Sequence, residues 1–258
     1  MLGMTKASPR SNTVFVMGGS TGIGRGITQA LLGAGLQVVV FSRSSPTDQP
    51  GLEGVIWRPI DLTDPGESRQ RLDAAVQEFG STLDAVFYSA VYYGPKRAPL
   101  LQVSEQEWRD QLNVNLHGLW LTLAATLPAL RLRTPALFVG VSSEVVYNAG
   151  PNRSGYAATK AAAASLLDSL AQEEGPEGVR VVQVLPEKMV DTAGIRQRRP
   201  ATFDYSDYMT PQTFQSITLN LYNSRGEGFH GDSLVVGHNG DAWRVEEAPP
   251  ASQSKQSA

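Results

Sequence analysis

Residues 13–24 of this chain, Thr13-Val-Phe-Val-Met-Gly-Gly-Ser-Thr-Gly-Ile-Gly24, contain the pattern that decides its fold. An apolar run typical of a buried strand leads into a glycine-rich turn, and apolar residues at helical spacing follow as far as Ala34. This is the context of a dinucleotide-binding fingerprint, because glycines let the backbone approach a pyrophosphate and the helix N-terminus offers it N–H donors. The spacing Gly-x-x-x-Gly-x-Gly differs from the general motif, so the turn alone also fits a purely structural role.

Apolar strand-like runs alternate with helical patterns along the rest of the chain. The predicted strands are 13–18, 37–41, 55–59, 83–88, 135–141, 179–185 and 233–236, and the predicted helices are 22–33, 65–79, 105–132, 154–174 and 211–223. Such alternation indicates βαβ units. We therefore predict an α/β fold, a Rossmann-type doubly wound parallel sheet of about seven strands with helices on both faces. A single dinucleotide-binding and catalytic domain should span 1–245, with a disordered polar tail at 246–258.

Composition excludes several classes of function. The 258 residues carry a net charge of −3, which gives no electrostatic case for nucleic acid or an anionic membrane surface. The chain has no cysteine, which excludes disulfides and thiolate catalysis. His117, His230 and His238 lack metal-ligand spacing, so we predict no metal site. Because no apolar run has signal-peptide or transmembrane length, we expect a cytoplasmic protein without a membrane partner.

A second pattern joins Ser143, Tyr156 and Lys160. Tyr156 and Lys160 are four residues apart in an Ala-rich segment that is typical of a helix, so their side chains share a face. A free tyrosine has a pKa of about 10, and a nearby cation lowers that pKa. The pair is therefore a candidate proton donor or acceptor for a carbonyl or alcohol. Many helices carry Tyr-x-x-x-Lys by chance, so the pair gains meaning only together with the glycine turn.

Together these motifs resemble the short-chain dehydrogenase/reductase family in its compact single-domain form, over about residues 13–240. The family's catalytic residues correspond to Asn115, Ser143, Tyr156 and Lys160. The resemblance implies hydride transfer between a nicotinamide and a carbonyl or secondary alcohol, with Tyr156 transferring the proton. It also implies that Lys160 lowers the pKa of Tyr156, that Ser143 donates a hydrogen bond to the substrate oxygen, and that Asn115 holds a water linked to Lys160. These groups should lie at the carboxyl ends of the strands.

The second predicted strand ends in Ser42 and Arg43, where NAD-binding chains usually have an acidic residue. An arginine there can bind a 2′-phosphate, so we expect NADP(H) to be favoured over NAD(H), although Arg43 also fits an ordinary surface arginine. The predicted cofactor-binding residues are Gly18, Ser20, Thr21, Gly22, Ile23, Gly24, Arg43, Asp61, Leu62, Ser89, Ala90, Tyr156, Lys160, Pro186 and Thr192.

Two stretches depart from the family pattern. Tyr88-Ser-Ala-Val91 replaces its usual Asn-Asn-Ala-Gly, and Pro186-Glu-Lys replaces its Pro-Gly. We expect Glu187 to face solvent rather than act in catalysis. The segment 193–210 should cover the substrate pocket, and its arginines, Arg196, Arg198 and Arg199, fit a solvated cluster better than an anion site. The further wall candidates are Val91, Tyr92, Tyr93, Glu144, Val145 and Asn148, which suggest a moderately polar carbonyl compound.

Two alternatives remain open. The same fold also serves a non-catalytic, nucleotide-sensing or scaffold protein, which has no chemical need for the four catalytic residues together. An epimerase or dehydratase of the extended relatives fits 258 residues less well. The resemblance also implies a homotetramer or homodimer that acts on a small molecule. Leu119, Leu123 and Leu127 are candidates for its interface and fit the core equally well.

Overall fold

A single sheet of eight strands forms the centre of the computed structural model, which describes residues 12–247. The strands are β1 (Thr13–Met17), β2 (Gln37–Ser42), β3 (Ile56–Pro59), β4 (Leu83–Tyr88), β5 (Ala136–Val141), β6 (Val179–Pro186), β7 (Ser233–Val236) and β8 (Ala242–Arg244). Their order in the sheet is β3-β2-β1-β4-β5-β6-β7-β8. The predicted α/β doubly wound fold is confirmed, because β1 to β7 pair in parallel.

The helices are α1 (Gly22–Gly33), α2 (Pro65–Phe79), α3 (Glu105–Leu112), α4 (Gly118–Leu130), α5 (Ser154–Glu174), α6 (Ala193–Arg196) and α7 (Gln215–Ser224). The predicted continuous helix 105–132 is wrong in its middle, where Asn113–His117 forms one π-helical turn between α3 and α4. Hydrophobic periodicity does not distinguish a single wide turn from a continuous helix, and such turns are frequent at functional sites.

The strand that the sequence analysis missed is β8, which pairs antiparallel with β7 at the edge of the sheet. Its three residues are too short to show an alternating pattern. The polar tail predicted to be disordered at 246–258 lies outside the described residues from 248 onward. Glu246 belongs to a 3-10 turn, Val245–Glu247.

Each face of the sheet is covered by helices. Phe15 and Phe41 meet edge to face at 5.0 Å on the side covered by α2, α4 and α5. On the other side, Val14 and Val16 pack against α1 and α7. Leu119 and Leu123 are buried at 2% and 4% exposure, which places these two interface candidates in the core. Burying a side chain of this size contributes roughly 1.5–3 kcal/mol.

Parallel pairing brings the carboxyl ends of β1, β2, β4, β5 and β6 to one edge of the sheet. The predicted site residues therefore share that edge, as open α/β sheets require of a ligand site. Within residues 12–247 no helix combines the length and the apolar character needed to cross a bilayer.

Candidate active site

The glycine turn after β1 requires glycine at defined positions. Gly18 has φ +74°, and a Cβ on it would lie 2.7 Å from the Ala90 backbone at the end of β4. A Cβ on Gly24 would lie 2.2 Å from the Gly18 carbonyl oxygen. These neighbours are backbone atoms that cannot move aside, so the turn and α1 pack more closely than any side chain would allow.

The N-terminus of α1 is open toward the sheet edge. Its N-cap, Thr21, makes no side-chain capping hydrogen bond, and no acidic residue lies in the first turn of this described helix. Its leading N–H groups and the positive end of the helix dipole therefore suit an anion. Together with the tight glycine turn, this end of α1 fits the pyrophosphate of a dinucleotide.

The carboxyl edge of the sheet opens into a cleft of about 1660 Å³. Pockets for one small molecule have about 300–1,000 Å³, so this cleft has room for a dinucleotide and a second, smaller ligand. The predicted residues that line it are Gly18, Ser20, Thr21, Gly22, Ile23, Arg43, Asp61, Leu62, Ser89, Ala90, Ser143, Tyr156, Lys160, Pro186 and Thr192. Gly24 and Asn115 are buried behind its wall.

At the end of β2, Arg43 is exposed and lines the cleft. No hydrogen bond or ion pair within residues 12–247 engages its guanidinium. The Ser42 hydroxyl donates to the Ser44 carbonyl at 2.8 Å, a hydrogen bond between the two residues that flank Arg43. Arg25, just past the glycine turn, donates to the Pro50 carbonyl at 2.7 Å.

Asp61 sits where β3 leads toward α2. One of its carboxylate oxygens accepts hydrogen bonds from the backbone N–H and the hydroxyl of Thr63, at 3.0 and 2.8 Å. These bonds hold the carboxylate at the cleft wall, where its second oxygen is suited to accept from a ligand amino group.

Tyr156 and Lys160 lie in the first two turns of α5. Gly155, just before Tyr156, allows α3 to approach, since a Cβ there would lie 1.9 Å from Gln111 Oε1. Gln111 also donates to the Tyr93 carbonyl at 3.2 Å, so one buried amide faces both the start of α5 and the loop after β4. A side chain at position 155 would therefore force the Gln111 amide to move, a packing constraint that the sequence alone did not reveal.

Burial controls the proton affinities at this centre. It raises the pKa of Tyr156 well above the usual value, and the neighbouring Tyr93 raises it further, while the Ser143 hydroxyl lowers it. Burial also lowers the pKa of Lys160 to about 8. Lys160 Nζ donates to the Val141 carbonyl at 2.5 Å. The expectation that Lys160 brings the pKa of Tyr156 below its usual value is not met, because desolvation of the phenol is the largest influence.

Ser143 follows β5 and its hydroxyl donates to Glu144 Oε2 at 2.7 Å. The other oxygen of Glu144 accepts from Arg153 Nη1, also at 2.7 Å. Arg153 in turn donates to the Ala149 and Asn148 carbonyls, which connects the loop after β5 to the start of α5. Glu144 therefore restrains the Ser143 hydroxyl, a role that the sequence analysis did not assign to it.

Asn115 is held in the π-helical turn and is only 2% exposed. Its Oδ1 accepts from the Tyr92 N–H at 2.7 Å, and its Nδ2 donates to the Tyr92 carbonyl at 2.9 Å and to Thr159 Oγ1 at 3.0 Å. The amide thus links the loop after β4 to α5. Both Nδ2 donors and one acceptor site of Oδ1 are thus used in positioning Tyr92 and Thr159.

Tyr93 is the aromatic neighbour of the predicted proton donor. Its ring centroid lies 4.8 Å from that of Tyr156. Of the other wall candidates, Val91, Tyr92 and Glu144 also line the cleft. Two candidates were wrong: Val145 is 2% exposed and packed in the interior, and Asn148 lies outside the lining. Proximity in sequence to Ser143 did not predict which way the following turn would face.

The residues that follow β6 form hydrogen bonds and a β-bridge with residues 209 and 238. Lys188 N–H donates to Met209 Sδ at 3.3 Å, and Val190 forms a β-bridge with Met209. Glu187 is exposed and accepts from the His238 N–H at 3.0 Å, which agrees with a non-catalytic role. Thr192 caps α6 and contributes its methyl group opposite Gly22, so it reaches the cleft from the side facing α1.

The histidines have structural contacts. His230 accepts from the Val181 N–H at 3.2 Å and bonds the Ala171 carbonyl at 2.8 Å, and His117 lies against Trp120. Over the described part of the chain, no group of three or more His, Cys, Asp or Glu side chains is arranged to hold a metal ion.

Comparison with known proteins agrees with this geometry. Residues 12–202 match the family model described as short chain dehydrogenase. An uncharacterized NAD-dependent oxidoreductase of Mycobacterium tuberculosis is 29% identical over 198 residues, which cover 70% of this chain and 71% of the relative. Sorbitol-6-phosphate 2-dehydrogenase of Klebsiella pneumoniae is 28% identical over 243 residues, covering 92% and 86% of the two chains.

Among solved structures, a short chain dehydrogenase from Shigella flexneri complexed with NADP superposes with a TM-score of 0.76. It is 24% identical, and the alignment covers 88% of this chain and 97% of the other, so this likeness supports the fold. The family match extends over well more than half of the chain and includes the glycine turn and all four predicted catalytic residues. The chain therefore belongs to the short-chain dehydrogenase family, whose members are oxidoreductases.

Proposed function

We propose that this protein is an NADP(H)-dependent oxidoreductase that interconverts a carbonyl compound and a secondary alcohol, with Tyr156 as the proton donor or acceptor. The observation that carries the proposal is that Ser143, Tyr156 and Lys160 line the same cleft as the glycine turn after β1. A dinucleotide held at that turn and a small substrate beside Tyr156 would occupy one continuous space. The nicotinamide, when bound, supplies or accepts the hydride.

The chain's own residues supply the proton and hold the reacting oxygen. Because the pKa of Tyr156 is raised, its phenol stays protonated at neutral pH and is ready to donate to a developing alkoxide. Ser143 is 5% exposed and lies beside that phenol. For its hydroxyl to donate to a substrate oxygen, it must exchange its bond to Glu144 for one to the substrate, which would stabilise the charge that develops there.

The preference for NADP(H) is supported by Arg43. Its guanidinium is exposed at the end of β2, lines the cleft and makes no ion pair in the described structure. A guanidinium with free donors suits a 2′-phosphate, which a carboxylate at this position would repel. The Mycobacterium relative is described as NAD-dependent and the Shigella structure contains NADP. The relatives therefore include both cofactor types, and the preference for NADP(H) rests on Arg43.

One observation favours the alternative of a non-catalytic nucleotide sensor. The Ser143 hydroxyl donates to Glu144, which occupies the donor that the reaction requires. Arg153 pairs with the same carboxylate and so steadies this arrangement. A sensor would bind the dinucleotide and show no turnover with any carbonyl compound.

The deciding experiment mixes the protein with NADPH and a panel of ketones while the nicotinamide absorbance is followed. We expect turnover with at least one ketone, and we expect Tyr156→Phe to lose it by about a thousandfold or more, in the range of lost general acid catalysis. NADPH binding should stay measurable in this variant. Tyr147→Phe makes the same change at a 57% exposed tyrosine and should leave turnover intact. Near-normal turnover in Tyr156→Phe would reject the assignment, and NADPH binding without any turnover would favour the sensor.

The assembly into a homotetramer or homodimer and the cytoplasmic location stay predictions from the sequence. Trp120 on α4 is 48% exposed and stacks on His117, which is the kind of aromatic surface that an oligomer interface uses. Light scattering on the purified protein measures the assembly directly.

A further inference from the structure

Three arginines of the segment 193–210 have three different surroundings. Arg196 forms an ion pair with Asp191 at 2.5 Å, lies over the Tyr205 ring, and has a side chain that is 60% exposed. Arg199 donates to the Tyr208 hydroxyl at 3.2 Å and lies over the Phe203 ring. Both therefore stabilise the segment itself. The predicted solvent exposure is found at Arg196, whereas Arg198 is half-buried.

Arg198 points into the cleft. Its guanidinium carbon lies 4.8 Å from the centroid of the Tyr93 ring, and that ring lies 4.8 Å from the ring of Tyr156. Nη2 donates to the Gly94 carbonyl at 2.5 Å, in the loop that follows β4. A single aromatic ring thus separates this cation from the predicted proton donor.

The charge of Arg198 is not neutralised by the protein. Within residues 12–247 no carboxylate oxygen lies within 4.0 Å of its guanidinium nitrogens. Among the carboxylates that line the cleft, Glu144 pairs with Arg153, whereas Glu107 lies beside Gly94 without forming an ion pair with Arg198. Arg97 lies close enough to act as a second positive charge on Arg198.

A half-buried guanidinium without an anionic partner is unfavourable, because burial removes water from a charge that nothing else compensates. This desolvation lowers the pKa of Arg198, although an arginine remains charged at neutral pH. The group has five N–H donors in a planar fork, and among residues 12–247 the Gly94 carbonyl is the one acceptor that they reach. The remaining donors match the geometry of a carboxylate or phosphate.

We propose that Arg198 is a specificity-determining residue that binds an oxyanion, a carboxylate or a phosphate, carried by the substrate next to its reacting carbonyl. This inference rests on the proposed function, since the substrate must reach both Tyr156 and Arg198 along the cleft wall that Tyr93 forms. The cation–π contact with Tyr93 would hold the guanidinium plane at the cleft wall. The substrate is thus a short oxo-acid or a phosphorylated ketone, or the corresponding alcohol.

The test compares Arg198→Gln with a matched control, Arg196→Gln, which removes a cation of the same segment that is paired with Asp191. Two pairs of ketones are used, each pair differing only in charge: an oxo-acid and its primary amide, and a ketone phosphate and its neutral alcohol.

We expect Arg198→Gln to lose about 30-fold in kcat/KM for the charged member of at least one pair and less than about threefold for its neutral partner, as for a lost charge-assisted hydrogen bond. Arg196→Gln should change neither by more than about threefold. Arg198→Lys should fall between wild type and Arg198→Gln, because it keeps the charge without the fork.

A second arm requires no turnover. Propionate and inorganic phosphate are titrated against the protein saturated with NADP, and the shift in thermal unfolding is measured. We expect one of the two anions to stabilise wild type and Arg196→Gln but not Arg198→Gln, and the anion that does so identifies the group. If no ketone is reduced but this pattern holds, the proposed function fails while the anion site stands.

Two results would overturn the inference. The first is anion binding that is absent from wild type or unchanged in Arg198→Gln. The second is an equal loss for charged and neutral substrates, which would make Arg198 a contact that merely closes the segment 193–210 over the cleft.

Discussion

The glycine turn after β1 and the segment 187–210 form opposite walls of one cleft, and they are built in different ways. Around the turn the decisive contacts are between backbone atoms, such as Gly24 against the Gly18 carbonyl. The segment 187–210 instead uses side chains to contact other parts of the protein: Glu187 accepts from the His238 N–H, and Arg198 donates to the Gly94 carbonyl. The first wall is thus independent of most side-chain identities, and the second depends on them individually.

This difference teaches how one fold serves many substrates. A dinucleotide is the same molecule in every relative that uses it, so a backbone cradle with fixed glycines suffices for it. The substrate differs, and its wall lies on connecting segments, where side chains change without disturbing the sheet. Changes at the turn should therefore strongly weaken cofactor binding, whereas changes in the segment should alter substrate selectivity.

The largest effect is expected from Gly24→Ala. The added Cβ would meet backbone atoms at 2.2 Å, so the turn must separate from α1. We expect a loss of about 3 kcal/mol in the free energy of unfolding and a loss in NADPH affinity of about 100-fold, measured by thermal unfolding and by nicotinamide fluorescence. The matched control is Gly33→Ala in the same helix, where nothing lies within 4 Å of the new Cβ. Wild-type NADPH affinity in Gly24→Ala would remove the distinction between the two walls.

A smaller effect is expected from the buried amine of Lys160, on the pH dependence of the free energy of unfolding. Its pKa is lowered by burial from 10.5 to about 8, so the native state binds fewer protons than the unfolded state between those values. The free energy of unfolding should therefore rise with pH across this window, by on the order of 3 kcal/mol in all. Above about pH 10 the buried tyrosines oppose this rise, because the raised pKa of Tyr93 and of Tyr156 makes their ionisation favour the unfolded state.

Urea unfolding at several pH values between 7.5 and 9.5 measures this slope. Lys160→Met should flatten it and be more stable than wild type at pH 7.5. Lys96→Met makes the same change at an exposed lysine and should keep the wild-type slope. Equal slopes in wild type and Lys160→Met would show that Lys160 is not desolvated as the structure has it.

The smallest effect is expected from Arg43→Glu, which changes a side chain on the cofactor side of the cleft. Losing the 2′-phosphate contact and adding repulsion should raise the KM for NADPH by roughly tenfold, about 1.4 kcal/mol. The KM for NADH should change little. Arg109→Glu places the same charge change on α3, where Arg109 pairs with Glu105, and should leave both constants unaltered. A wild type that prefers NADH in steady-state kinetics would contradict the assignment of Arg43.

The parallel sheet, the glycine turn and the residues at its carboxyl edge could all be predicted from the amino-acid sequence. Those features follow from local patterns: apolar runs of strand length, glycines at fixed spacing, and Tyr156 and Lys160 one helical turn apart. Patterns formed by residues that are close together in the chain can be recognised without knowledge of the fold.

Contacts that join distant segments of the chain could be found only in the folded protein. The π-helical turn that positions Asn115, the hold of Glu144 on Ser143, and the stacking of Tyr93 on Tyr156 all depend on how α3, α5 and the loops pack. Arg198 shows this most clearly, because the Gly94 carbonyl that it binds is 104 residues away in the chain. Three neighbouring arginines look alike in sequence, and only their contacts distinguish them. Arg196 pairs with Asp191 and Arg199 is held by Phe203 and Tyr208, whereas the Arg198 guanidinium lies over Tyr93, the neighbour of Tyr156.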